Sequence, residues 1–224
     1  MNWSLHFLGV GAAHAVELGS SAVVLERDGK PLLLIDCGPD TLDRYVAAYG
    51  EPPRALYITH THMDHIGGME RLFFRLWFDE QWRGRTQVFV HAGLVPWLQA
   101  RVADYPNVLA EGGVNFWEAF RLVPCTRGFW LDGLWFDVFG TRHHMAGTSY
   151  GVALARGITG HSSAKSLLEK SRLDAKAILS RRILQPQPPV IREAAANQQL
   201  PGVQGIGDHQ VRLAGGVVVI VWIP

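Results

Sequence analysis

Residues 58–68 read ITHTHMDHIGG, with His60, His62, Asp64 and His65 inside six positions directly after a short apolar run. That run, ALYIT from position 55, has the β-branched and aromatic character of a strand. Residues two apart on a strand face the same way, so His60 and His62 can present their imidazoles to one point at the strand's C-terminal end. Asp64 and His65, in the turn that follows, can face a second point close by. Imidazole and carboxylate together suit zinc or a similar first-row divalent ion, and two neighbouring ions can hold and activate a water for hydrolysis. The competing reading, a polar loop with accidental histidines, fits poorly with the strand before the cluster and the Gly67-Gly68 pair opening a helix after it.

Working outward, SLHFLGV, SAVVLERDG and PLLLIDCG read as strands, the last two joined by a hairpin at Asp28-Gly29. TLDRYVAAYG places Leu42, Tyr45, Val46 and Tyr49 at helical spacing and ends at Gly50. GGMERLFFRLWFDEQW predicts a helix, QVFVHA a strand, and LVPWLQARVADY a helix begun near a proline. FRLVPC, GFWLDG, LWFDVFGTRHH and TSYGVALARG return to strands. Hairpins followed by strands alternating with helices predict α/β layers built on a mixed sheet.

These features resemble the metallo-β-lactamase superfamily. HTHMDH is similar to its HxHxDH motif, FLGVGAAHAVELGSSAVVLE to the first hairpin of the ribonuclease Z and phosphodiesterase branch, and LLLIDCGPD to the strand ending in Asp-x-Gly. The resemblance covers about residues 4–156 and implies a four-layered αβ/βα sandwich with metals between the two sheet edges. It implies that His60, His62 and a later histidine hold one metal, and Asp64 and His65 a second. The later histidine is expected in TRHHMAGTSYGVAL, with His144 first choice because it is nearer the next strand, and His143 second. Asp36 would orient a ligand imidazole through its other ring nitrogen. The implied activity is hydrolysis, foremost of phosphodiester bonds, by a metal-bound hydroxide, with Asp64 among the catalytic groups. Zinc is the expected metal, two ions by resemblance with the first the more secure; manganese or iron are alternatives.

The pattern then breaks. The family's bridging aspartate should follow GVALARG, but ITGHSS brings His161 instead, a second-choice terminal ligand. Asp208 and His209 in GIGDHQ are the other candidate replacements. Seven of the eight tryptophans precede position 136, and from Arg156 onward nine Lys and Arg face four Asp and Glu. QPQPPV and REAAANQQLPG have linker-like composition, SAKSLLEKSRLDAKAILSRRI has helical promise, and only the last eight residues read as a strand. We therefore expect a metallo-β-lactamase-like domain over 1–156 and an atypical segment over 157–224, as a frame change, an insertion or a divergent ending would produce, with the sandwich's second half short of strands. Two alternative functions stay open: a metal-binding protein whose catalysis is impaired for want of the bridging aspartate, and a thioester hydrolase or mono-iron dioxygenase of the same fold.

Composition bounds the partners. A formal charge of +1 supplies no long-range field for nucleic acid or an anionic membrane, so a small-molecule or nucleotide-type substrate is expected. A homodimer is compatible with the pattern. No apolar run reaches the roughly 20 residues that span a bilayer, and the start lacks a signal-peptide pattern; with Cys37 and Cys125 too few for a disulfide framework, the expected setting is cytoplasmic. The aromatic run LFFRLWF reads as core, His14 and His91 as structural residues near the groove, GVG as too short for a nucleotide loop, and Cys125 as no nucleophile.

Overall fold

The computed structural model describes residues 2–104, 108–109, 112–141, 143, 148–155, 203–205, 210–213 and 217–220. In chain order the strands are β1 (Trp3–Gly9), β2 (Ala22–Arg27), β3 (Lys30–Ile35), β4 (Ala55–Ile58), β5 (Thr86–His91), β6 (Val108–Leu109), β7 (Gly112–Gly113), β8 (Phe120–Cys125), β9 (Gly128–Leu131), β10 (Leu134–Gly140), β11 (Tyr150–Ala155), β12 (Val203–Gly205), β13 (Gln210–Leu213) and β14 (Val217–Ile220). The α-helices are α1 (Thr41–Tyr49), α2 (Met63–Ile66), α3 (Met69–Trp77) and α4 (Val95–Leu98).

The strands build a large sheet in the order β12-β13-β1-β2-β3-β4-β5-β8, a small one in the order β14-β11-β10-β9, and the ribbon β6-β7. The large sheet is mixed: β1, β2 and β3 run antiparallel, whereas β3-β4, β4-β5 and β5-β8 are parallel pairs. Its alternating side chains feed two cores, as period two requires. Ala22, Val24, Leu34, Leu56, Ile58 and Val88 join Leu42 and Tyr45 of α1 and Met69, Leu72, Phe73 and Leu76 of α3. Val23, Leu25, Leu33, Ile35, Tyr57 and Phe89 meet Phe129, Phe136, Val138, Val152 and Leu154 of the small sheet. β4 is therefore covered on both faces, which explains its unbroken apolar sequence. Among the described residues every α-helix packs in the first core. The helix expected over SAKSLLEKSRLDAKAILSRRI, and the linker-like QPQPPV, lie outside the described residues.

Local chemistry sets the boundaries. Asp28 and Gly29 take φ of 52° and 75°, the left-handed pair that a two-residue hairpin between β2 and β3 needs. Gly50, at φ 78°, ends α1 with its N–H on the Val46 carbonyl at 2.8 Å. The helix expected over LVPWLQARVADY becomes three pieces: a 3-10 turn Ala92–Leu94, α4 with Pro96 near its start, and a π turn Gln99–Ala103. The tail holds more strand than its sequence suggested. β13 pairs antiparallel with β1, β12 with β13, and β14 with β11, so the tail's strands extend both sheets. β12 and β13 are only three and four residues long, too short for a periodic signal; β13 is paired by the edge of β1, and β12 by β13.

A buried polar cluster ties α1 to the sheet. Glu26, 4% exposed, accepts from Ser4 Oγ and Tyr49 Oη at 2.7 Å each, and the Tyr49 oxygen pairs with His6 Nδ1 at 2.8 Å. Tyr49→Phe would leave the buried carboxylate short of a donor, and a loss of about 1–3 kcal/mol is expected. Urea unfolding checks this; an unchanged midpoint would show the cluster to be energetically idle.

Candidate metal centre

Three segments converge where the parallel strands end, the usual place for a site in such sheets. The residue after β3 is Asp36, fully buried and held at φ 63°, a conformation aspartate tolerates better than most residues. Its Oδ1 accepts the Thr59 N–H at 2.8 Å, and its Oδ2 accepts the Thr59 hydroxyl and His65 Nδ1–H, each at 2.7 Å. With its proton given to Asp36, the Thr59 oxygen accepts His60 Nδ1–H at 2.9 Å. One carboxylate thus sets two tautomers, His65 directly and His60 through a hydroxyl. Each ring keeps Nε2 as the nitrogen with the lone pair, the form that ligates metal.

The loop carrying Asp64 and His65 is locked backbone to backbone against the end of β3. Cys37 N–H donates to the His65 carbonyl at 2.7 Å, and Gly68 N–H to the Cys37 carbonyl at 2.9 Å. A Cβ on Gly38 would fall 2.2 Å from the Asp64 carbonyl oxygen, and one on Gly68 would fall 2.2 Å from that of Gly38. The glycines of DCG and HIGG are therefore one packing device. Cys37 is sealed within it, and burial, helped by Asp36, pushes its thiol up to about 12.

Two groups of ligand atoms result, each within 4.8 Å: His60, His62 and His143, and Asp36, His60 and His65. His60 belongs to both, its ring 4.0 Å from that of His65 and 4.5 Å from that of His143. Asp36 is already committed to three hydrogen bonds, so it acts on its neighbours, and the acidic group facing the second position is Asp64, whose Oδ2 lies 3.5 Å from His65 Nε2. His60 and His65 are buried, His143 is half-buried and His62 is exposed, giving a site open on one side. The donor set, neutral imidazoles with oriented Nε2 atoms beside a carboxylate, fits a first-row divalent ion.

His144, His161, Asp208 and His209 lie outside the described residues. His14 is exposed on the loop after β1, while the His91 ring stacks on Tyr150 with centroids 3.6 Å apart. Cys125 is buried, its thiol donating to the Val90 carbonyl and pushed up to about 11 by burial. GVG serves close packing: a Cβ on Gly9 or Gly11 would strike the backbone of Ser20 or Ala15. Sequence reasoning missed Thr59. Its only signal was its place between the strand and the first histidine.

Burial by itself lowers the His65 pKa, but the Asp36 carboxylate, with Asp64 adding to it, outweighs this and holds it above 6.5. A raised folded pKa stabilises the metal-free fold fully below that value, and the contribution is lost as pH rises through the raised value. A metal on Nε2 reverses the sense, because it needs the proton gone. In chelator, melting temperature is expected to fall as pH rises above the ordinary histidine range, whereas the gain on adding zinc should grow over the same rise. His65→Gln should flatten both trends in thermal-shift measurements; trends unaffected by it would remove His65 as their source.

A family model described as anti-Pycsar protein Apyc1 matches residues 3–181. The chain belongs to this family. Its match with the Apyc1 protein of Paenibacillus harenae is 38% identical over 77 residues, 33% of this chain and 31% of that one. A ribonuclease of Thermus thermophilus is 32% identical over 160 residues, 66% of this chain and 35% of the other. The chain thus aligns with only about a third of the length of these two relatives. Among solved structures, the metallo-β-lactamase fold protein YhfI of Bacillus subtilis superposes with a TM-score of 0.53 at 15% identity, covering 69% of this chain and 58% of that one. This superposition shows the metallo-β-lactamase fold that the sequence resemblance implied. The family match runs past residue 156 to 181. No helix of the described residues is long and apolar enough to cross a membrane.

Proposed function

We propose that the chain is a metal-dependent hydrolase of phosphodiester bonds acting on a small nucleotide-type substrate. The observation that carries this is the pair of ligand groups sharing His60. His60, His62 and His143 would hold one divalent ion, zinc by donor type, and Asp64 and His65 would hold the second. Bound there, such ions lower the pKa of a water and draw charge from a phosphoryl oxygen. The chain's own part is orientation: Asp36 and Thr59 fix the Nδ1–H tautomers and so aim both Nε2 atoms, and exposed His62 leaves the substrate a way in. Asp64, beside the attacking position, would also receive the proton shed by water. Family membership and a ribonuclease among the relatives support phosphorus as the centre attacked. A net charge of +1 favours a small nucleotide over a long nucleic acid.

Among the described residues no carboxylate besides Asp36 appears in either group, and the stretch after GVALA where a bridging acid was expected lies outside them. The test is release of product from cyclic mononucleotides, bis-p-nitrophenyl phosphate and a short RNA, with zinc, manganese or iron added back to chelated protein. Metal-dependent turnover of a cyclic mononucleotide is expected. Tight metal uptake without turnover of any of the three would favour the metal-binding alternative.

A further inference from the structure

The strand end that carries Thr59 also meets the small sheet. The loop bearing His143 is closed at its base, with Thr141 N–H on the Ser149 carbonyl at 2.8 Å and the two hydroxyls 2.7 Å apart. The next residue, Tyr150, gives its N–H to the Thr59 carbonyl at 2.9 Å. From the interior, Tyr57 Oη donates to the Tyr150 carbonyl at 3.2 Å and approaches that of Gly151 at 3.5 Å. Tyr57 is fully buried between the sheets, its ring stacked near Phe129, while His91 lies flat on the Tyr150 ring. Thr59 therefore joins three things: Asp36 through its N–H and hydroxyl, His60 through its oxygen, and the start of β11 through its carbonyl.

We propose that Tyr57 is a positioning residue for the His60–His62–His143 group. Its hydroxyl, together with the Thr59 carbonyl, pins the first residue of β11 to the end of β4 and so fixes His143 over the other two imidazoles. The proposal rests on the metal-holding reading of those histidines. Around Tyr57 the two sheets otherwise meet through apolar side chains such as Phe89, Phe129, Val138 and Val152, and apolar surfaces fix relative position far less sharply than a directed hydrogen bond. A metal ligand has to be held within about 0.5 Å of its working position. Burial, with the nearby Cys125 and Asp36, keeps the Tyr57 hydroxyl protonated far above neutral pH, so the donor is constant over any working range. Tyr57→Phe removes the hydroxyl and leaves the ring packing.

The experiment is competition for zinc between a chromophoric chelator and four proteins: the unaltered chain, Tyr57→Phe, Tyr49→Phe and Thr141→Val. The cobalt-substituted absorption spectrum is recorded for each. Tyr57→Phe is expected to weaken zinc about 10–100-fold, the usual cost of losing a group that orients a ligand, and to alter the cobalt spectrum. Tyr49→Phe loses a comparable hydroxyl bond on the helical side of the sheet; it should lower the melting temperature and leave zinc affinity alone. Thr141→Val removes the hydroxyl contact at the base of the loop, keeping the backbone bond, and should weaken zinc in the same sense, which carries the test if Tyr57→Phe does not fold. Zinc affinity of Tyr57→Phe within about twofold of the unaltered chain, or an equal loss in Tyr49→Phe, overturns the positioning role alone. An unaltered chain that takes up no zinc overturns the metal reading and this proposal together.

Discussion

Asp36→Asn is expected to lower stability by about 3–5 kcal/mol, the usual cost of breaking a buried pair by altering one partner. For a chain of this size that is roughly a 10 °C fall in melting temperature. Asparagine keeps the shape and, like aspartate, tolerates the left-handed backbone at φ 63°, so the change isolates the carboxylate's acceptor role. Its oxygen can still receive the Thr59 N–H, but its amide then turns a donor toward the Thr59 hydroxyl and His65 Nδ1. Both groups must reorient, and with them the tautomers of His60 and His65. Zinc affinity should therefore fall about 10–100-fold alongside stability. Calorimetry and chelator competition on the same sample check the two effects; a variant that melts within about a degree of the unaltered protein would show that Asp36 is not the hub its contacts describe.

Removing His60 should have the largest effect on metal content, because its Nε2 is a buried member of the three-imidazole group and its ring lies 4.0 Å from that of His65 beside the second position. His62→Ala removes an exposed member of the same group, and His65→Ala removes the imidazole proposed for the second ion. Elemental analysis is expected to find His60→Ala the poorest in metal, with the other two retaining more. Turnover should drop in His60→Ala by more than the roughly 100-fold upper cost of losing an orienting neighbour. Since His60 is buried, its removal also leaves a void and a stranded Thr59 oxygen, so circular dichroism must accompany the metal count. Equal metal loss in all three variants would mean that the two positions load as one cooperative unit.

The local pattern of the first 156 residues carried most of the architecture. The hairpin at Asp28-Gly29, the stop at Gly50, and the strands of β1 to β5 follow from turn chemistry and period two, which act within a few residues and so leave a mark in the sequence. The stretch LVPWLQARVADY was legible as helical but not as parts of 3-10, α and π pieces between Ala92 and Ala103, since a hydrophobic period does not tell one helical hydrogen-bond pattern from another over so few residues. β12 and β13 were not legible at all. A three- or four-residue strand has no period to read, and its structure comes from the edge it joins.

The site divides along the same line. ITHTHMDHIGG by itself determined where imidazoles and carboxylate would gather and that the chemistry would be that of a metal centre, because spacing on a strand end dictates direction. Only the tertiary structure decided that Asp36, 29 positions from His65, fixes that ring's tautomer. It also decided that Thr59 relays the same carboxylate to His60, and that Tyr57 reaches 93 positions along the chain to anchor the strand following His143. A ligand's type is a property of its residue, whereas its tautomer, aim and height above its neighbours are set by hydrogen bonds from segments that meet only on folding.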